Sequence, residues 1–435
     1  MCLTKSFVWS QLKNIYSTSL CHSLVQLVCY SAKHSPFTIH HSLKKFLAIY
    51  SLFTIHHSLA FAQSDVNRVL KEVEANNKAI QSNIKYWEAR KAEYKTGLTP
   101  YDPQVEYDYL FGTPVGAGNQ RDFSVTQRLD FPTTYKRKRE LFRQQITQTE
   151  LQQKVYRQDI LLQAKLVTLQ IIYLNKKHAE LNRRLANTQQ LVQDYQKKLD
   201  KGDVIILDVN KAKLQLLNIN NEVALNNNEI QIARTRLTEL NGGQSIQVSD
   251  TTYPITNDVP DFETLDSLIE ANDPILKVYE QEKEIMQRQI GVQKSLNLPK
   301  IETGYHSQGI LGQSYKGIHA GITIPLWENK NRLKAAHANL EYANANAQTH
   351  IIEHRLENKG YYDQLAVRLK VMQEYKDLFA ILNNTELLNK SLRLGQITII
   401  QYFLDESYYF SAYDKYLQME WEYQQAIARL YKYQL

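Results

Sequence analysis

Residues 164–199 read AKLVTLQIIYLNKKHAELNRRLANTQQLVQDYQKKL. Ala164, Val167, Ile171, Leu174, His178, Leu181, Leu185, Thr188, Val192, Tyr195 and Leu199 recur at alternating spacings of three and four, and most of them are aliphatic. A sustained 3.5-residue period predicts knobs-into-holes contact with neighbouring helices rather than simple amphipathicity. No Pro or Gly interrupts residues 134–200. A helix of that length spans ~100 Å, deeper than any compact core. His178 on the seam reads as a register-setting or lumen-facing residue.

The same period continues downstream. Val209, Ala212, Leu216, Ile219, Val223, Asn226, Ile230, Ala233, Leu237 and Leu240 form a partner stripe. Val367, Val371, Glu374, Leu378, Ile381, Thr385, Leu388 and Leu392 form another, at an offset of 193 residues from the first. Pro132/Pro325 and Gly202/Gly395 share that offset, as do Val125/Ile318, Leu129/Ile322, Phe131/Ile324, Arg139/Arg332 and Lys197/Lys390. Glu74-Ala75-Asn76 matches Glu270-Ala271-Asn272 at 196. The chain therefore reads as two internal repeats, 63–243 and 261–435, joined by a linker at 244–260. Each has a first helix (66–96; 261–291), a β-hairpin (104–131; 299–325), a long helix (134–200; 327–393), a Gly-containing turn and a last helix (204–240; 398–434). The fold class is mainly α with a small β part. The two shorter helices of a repeat, stacked end to end, match the long one in length.

In the hairpins, Phe123, Val125, Leu129 and Phe131 alternate with polar residues, as do Ile318, Ala320, Ile322 and Ile324. The first strands are expected at 105–111 and 300–306. Such strands suit a transmembrane barrel or a soluble sheet with one wet face. Tyr107, Tyr109, Phe111, Phe131, Tyr135, Tyr305 and Trp327 sit where membrane-interface aromatics belong. Four strands cannot close a barrel, and an open edge is not tolerated in lipid, so the membrane reading requires oligomerisation; four strands from each of three chains would give twelve.

Composition narrows the classes. The 435 residues are 43% hydrophobic with a mean hydropathy of −0.46, which excludes a polytopic helical membrane protein. Residues 1–62 hold Lys5, Lys13, Lys33, Lys44 and Lys45 and no acid, so most of the net +7 lies there and no nucleic-acid footprint remains. Lys44-Lys45, the apolar run 46–53 and Ala60-Phe61-Ala62 read as a signal peptide cleaved after Ala62. Residues 37–43 (FTIHHSL) recur at 53–59, and translation from Leu43 is the expectation for this N-terminal extension. Cys2, Cys21 and Cys29 all lie there; the rest of the chain has no cysteine, and Cys29 lacks the small residue that a lipid anchor needs before it.

Three motifs invite other chemistry. Residues 350–354 (HIIEH) match the inverted zinc-protease pattern, which would make the chain a zinc peptidase with Glu353 as base. The segment lies inside a coiled-coil helix and lacks a third ligand, so no metal site is assigned. Residues 112–118 (GTPVGAG) lack the Lys-Ser/Thr of a phosphate loop and read as an exposed strand connection. Residues 135–139 (YKRKR) read as a solvated helix start near anionic headgroups. No nucleophile arrangement is assignable, and no enzyme is expected.

Residues 322–327 (ITIPLW) with Arg332, the turns 199–208 (LDKGDVIILD) and 392–401 (LRLGQITIIQ), and 270–274 (EANDP) together resemble the TolC-like outer-membrane factor family over roughly 65–435. The resemblance implies a homotrimer with a β-barrel in outer-membrane lipid and a long α-helical barrel across the periplasm of a Gram-negative bacterium. It implies a passive exit duct of a tripartite efflux or type I secretion system, with no cofactor. Its partners would be a periplasmic adaptor (membrane fusion protein) and an inner-membrane pump. Gly202, Asp203, Gly395 and Gln396 become the periplasmic tips where the adaptor docks. Asp208, Gln401 and Asp405 become gate candidates, although Gln401 and Leu404 stand where the family often has carboxylates. Phe131, Tyr135, Tyr305 and Trp327 become membrane-interface aromatics. A periplasmic adaptor is the other reading of long coiled-coil hairpins, but it needs more strands and normally a single hairpin.

Overall fold

The first half of the chain runs α1 (Asp65–Asn76), α2 (Lys78–Tyr94), β1 (Gln104–Leu110), β2 (Gln120–Leu129), α3 (Pro132–Asp200) and α4 (Ile206–Leu240). The second runs α5 (Phe262–Asn272), α6 (Pro274–Leu296), β3 (Lys300–Ile310), β4 (Gln313–Thr323), α7 (Arg332–Ile381), α8 (Asn384–Arg393), α9 (Ile399–Leu430) and a 3-10 turn, Lys432–Gln434. This computed structural model describes residues 65–254, 258–382 and 384–435. The signal-segment reading of residues 1–62 lies outside the described residues.

Each expected first helix is in fact two. Asn77 caps α2 by accepting from the Ile80 N–H (2.8 Å), and its side-chain amide donates to the Leu240 carbonyl (2.6 Å). Asp273 caps α6 by accepting from the Ile275 N–H, with Pro274 at the first helical position. A residue before proline avoids the helical region, and proline itself suits a helix start. These joints are where α4 and α9 end, so α2 and α4 lie in line along α3.

Toward the Gly turns the helices pack side by side in the order α4–α3–α9–α7, with α8 continuing α7. Toward the sheet the order is α2–α3–α6–α7. α3 lies inside both rows. Its stripe is buried or half-buried from Ala164 to Leu199, as is the α4 stripe from Val209 to Leu240. Leu169, Ile171, Ile172, Leu174 and Leu181 are fully enclosed, each contributing about 1.5–3 kcal/mol of apolar burial.

The second long helix departs from expectation. It starts at Arg332, after turns at 326–331 that end with Asn331 in the left-handed region (φ +67°), and it breaks at Leu382, which is extended. Its stripe is also rotated. Val367, Glu374, Leu378 and Ile381 are exposed, and Leu365, Arg368, Met372, Tyr375 and Phe379 face inward. A two-residue shift turns a helix by about 200°, onto nearly the opposite face. Past the break the expected positions return, with Leu392 buried.

The four strands form one antiparallel sheet in chain order. Register aligns Val105, Val125, Tyr305 and Ile318 in one row across all four strands. Tyr107 faces Phe123 and Ile301 lies between Leu129 and Ile322 on the same side. The opposite side carries Glu106, Ser124, His306 and Gly317 in one row and Asp108, Asp122 and Gln308 in the next. One face is thus mainly apolar and aromatic, with Arg121 and Lys316 also on it, and the other mainly polar, with Tyr315 completing the second row. β3 and β4 have 11 residues each, enough to cross a hydrocarbon core when tilted.

Candidate functional site

The two Gly turns are the same structure. Gly202 (φ +80°) donates to the Leu199 carbonyl and Asp203 to that of Lys198, both at 2.9 Å. Gly395 (φ +68°) donates to Leu392 (3.2 Å) and Gln396 to Ser391 (2.9 Å). Both are Schellman caps, which require a left-handed residue and therefore favour glycine. The turns are packed against each other: Tyr195, Val209, Ala212, Leu392, Ile399 and Tyr402 form one buried cluster.

The gate candidates converge there with different duties. Asp208 accepts from Lys211 Nζ at 3.3 Å. Gln401 closes a capping box with Thr398, its side chain accepting from the Thr398 N–H (2.9 Å), so its oxygen serves the start of α9. Asp405 is exposed beside a cavity of about 330 Å³ lined by Leu387, Leu388, Ile397, Tyr408 and Tyr409.

Sequence reasoning missed the buried charges above these turns. Arg184 on α3 is 3% exposed and donates to both oxygens of Asp414 on α9 (3.0 and 2.7 Å) and to Glu180 (3.0 Å), while lying 4.0 Å from the Phe410 ring centre. Glu406 on α9 is also buried. Tyr402 Oη lies 3.0 Å from both Glu406 Oε1 and Asn389 Oδ1. Burial pushes the Glu406 carboxyl above the usual range, against the opposing bond from Tyr402 and the nearby Arg184 and Arg183. Periodicity could have flagged Arg184, which falls one turn beyond Glu180, but no sequence signal names its partner on α9.

The side chains of residues 350–354 turn to different partners. His350 stacks on Tyr279 (ring centres 3.9 Å apart) and bonds its hydroxyl. His354 instead faces Asp273, at 3.4 Å. Burial would raise Asp273, but the His354 bond and the Ile275 N–H outweigh it and hold the carboxyl below its ordinary value. His354 thus braces the α5–α6 joint and His350 packs on the body of α6, and among the described residues no group of three His, Cys, Asp or Glu side chains is arranged to hold a metal.

At the other end, Trp327 is 78% exposed and Tyr305 42%, whereas Phe131 and Tyr135 are half-buried. Tyr135 accepts from the Asp130 N–H at 2.9 Å, fixing the strand-to-helix corner. Ile318, Ile322 and Ile324 stand out from the sheet. No described helix is long and apolar enough to cross a membrane.

No protein-family model and no curated protein matches the chain. Solved structures do. The outer-membrane channel OprN is similar with a TM-score of 0.69 at 16% identity, covering 85% of this chain and 89% of that one. A membrane protein from Pseudomonas aeruginosa gives 0.70 at 16%, covering 86% and 94%. The Campylobacter jejuni CmeC outer membrane channel gives 0.65 at 14%, covering 85% of each. In fold, this chain is similar to the outer-membrane efflux channels, the TolC-like architecture.

Proposed function

We propose that this chain is the outer-membrane duct of a tripartite efflux or type I secretion system, working as a homotrimer in a Gram-negative bacterium. The observation that carries this is that a single copy is unfinished at both sides. β1 and β4 are free edges of the sheet. α4 and α7 are the outermost helices toward the tips, and both expose apolar side chains: Leu214, Leu217, Leu225 and Ile232 on one, Val367, Leu378 and Ile381 on the other. Leu217 lies fifteen residues after Gly202 and Ile381 fourteen before Gly395, each with about three helical turns between. The two unpartnered faces therefore stand at one height. Three copies joined β4 to β1 and α7 to α4 leave no open edge, satisfying the backbone in lipid.

The apolar sheet face then meets lipid, and the face bearing Glu106, Asp108 and Asp122 lines a wet pore. The helices extend the pore ~100 Å into the periplasm. This chain supplies a path and a gate, and the inner-membrane pump supplies the energy. The tips at Gly202-Asp203 and Gly395-Gln396 receive the adaptor hairpin, and Asp208, Gln401 and Asp405, repeated three times, form the narrow ring. Carboxylates in a ring with low-dielectric walls select ions by sign. Nothing in this scheme calls for catalysis. The test is extraction from the outer-membrane fraction followed by reconstitution in planar bilayers. A three-chain particle with stepwise, cation-preferring conductance is expected. A monomer stable in water without detergent would overturn the proposal.

A further inference from the structure

Resting on the duct reading, we infer that the junction of sheet and long helices is a phosphate-binding collar for anionic phospholipid headgroups, built in both halves of the chain. Lys136, Arg139 and Arg143 on α3, and Lys330, Arg332 and Lys334 at the start of α7, are exposed and make no ion pair among the described residues. Their basic neighbours are already engaged: Arg137 donates to the Gly291 carbonyl (2.6 Å), Lys138 pairs with Asp130 (3.0 Å) and Lys300 with Glu328 (2.8 Å). Glu140 and Glu328 are the acids within these two segments.

Three further observations point to phosphate from lipid. Neither helix has an acid in its first turn or a side-chain cap, and Arg332 and Lys334 lie in the first turn of α7, where they add to the positive end of the macrodipole instead of opposing it; Lys136, Arg139 and Arg143 follow further along α3. The α2 carboxylates that a neighbouring copy would bring to this level, Glu88 and Glu93, already pair with Lys85 and Arg90. Finally, the cations follow an apolar wall along the chain. Ile322, Ile324, Leu326 and Trp327 are all more than 60% exposed, and Lys330 comes three residues after the tryptophan. Apolar wall, aromatic and cation in that order match acyl chain, interface and headgroup in depth.

The experiment compares trimers in nanodiscs of phosphatidylethanolamine mixed with phosphatidylglycerol or with phosphatidylcholine, reading co-retained lipid by native mass spectrometry. The wild type should retain phosphatidylglycerol selectively. Lys136→Gln, Arg139→Gln and Arg143→Gln should each weaken that retention on the order of fivefold, with trimers and conductance preserved. Arg139→Lys, which keeps the charge, should retain it. Equal retention of both lipids, or a triple variant as selective as the wild type, overturns the collar. Displacement of phosphatidylglycerol by inorganic phosphate alone overturns the lipid as its source. A chain that never enters the nanodisc refutes the duct reading and the collar together, whereas one that enters without preference refutes the collar only.

Discussion

α3 and α7 hold equivalent places in the two halves of the chain, yet they are buried very differently. α3 has fifteen buried residues over its length and α7 has five. Both are long, and both have apolar residues at coiled-coil spacing. The difference is position: α3 has neighbours on both sides, whereas α7 closes one end of the row. An apolar stripe on an end helix is a contact still to be made. It teaches that the burial of a single chain records its place in the row, and that heptad spacing alone does not say which neighbour a stripe serves.

The contrast can be broken first at its strongest point. Arg184→Ala truncates a side chain that is 3% exposed and takes the cation from Asp414, while Glu180 keeps Arg183; it should cost about 2–5 kcal/mol, read as loss of thermal stability of the purified protein. Arg184 joins α3 to α9, so an unchanged stability would mean the two halves are not coupled there. Next comes a matched pair of truncations. Leu174→Ala in α3 should cost about 2–5 kcal/mol whatever the oligomeric state. Leu378→Ala in α7 should change the stability of a dissociated chain by at most ~0.5 kcal/mol while lowering the temperature at which trimers separate. Equal effects of Leu378→Ala on both states would erase the distinction between the helices.

The tips sharpen the comparison, since here the two halves are alike. Gly202→Val and Gly395→Val each force a β-branched residue into a left-handed conformation, at about 1–2 kcal/mol. Trimers should persist in the membrane while export is lost, measured as cargo retained in cells. The smallest effect concerns Glu406. Burial raises its pKa in the folded chain above the unfolded 4.5, so its contribution is full below 4.5 and is lost as pH rises through the folded value. Glu406→Gln should therefore flatten the decline of melting temperature with rising pH above 4.5. A variant with an unaltered slope would show that Glu406 does not titrate in this way.

Much of this fold was legible because its signals are local. The 3.5-residue stripe, the Gly turns and the alternating strands depend on neighbours a few residues away, and α3, α4, the tips and the four strands appear where those signals stand. The joints at Asn77 and Asp273 were harder. A single capping residue ends a helix without disturbing the periodicity on either side, although Pro274 announced one of them. The rotation of α7 was not legible, because two apolar stripes compete on it and only packing against α6 and α9 chooses between them. The Arg184–Asp414 and Tyr402–Glu406 contacts join residues distant in sequence or hidden by burial, and composition is silent on such pairs. The gate candidates came from the family resemblance, which could not foresee that Gln401 is occupied with capping α9.

The central claim is that the α4 face of one copy meets the α7 face of the next. The chain from Gln63 onward has no cysteine, so Leu217→Cys combined with Ile381→Cys places one defined pair across that contact. Mild oxidation of membranes carrying this variant should convert the monomer band on a denaturing gel into a three-chain species, and each single variant should remain monomeric. A double variant that stays monomeric under oxidation, in membranes where the protein is present and folded, would contradict the account.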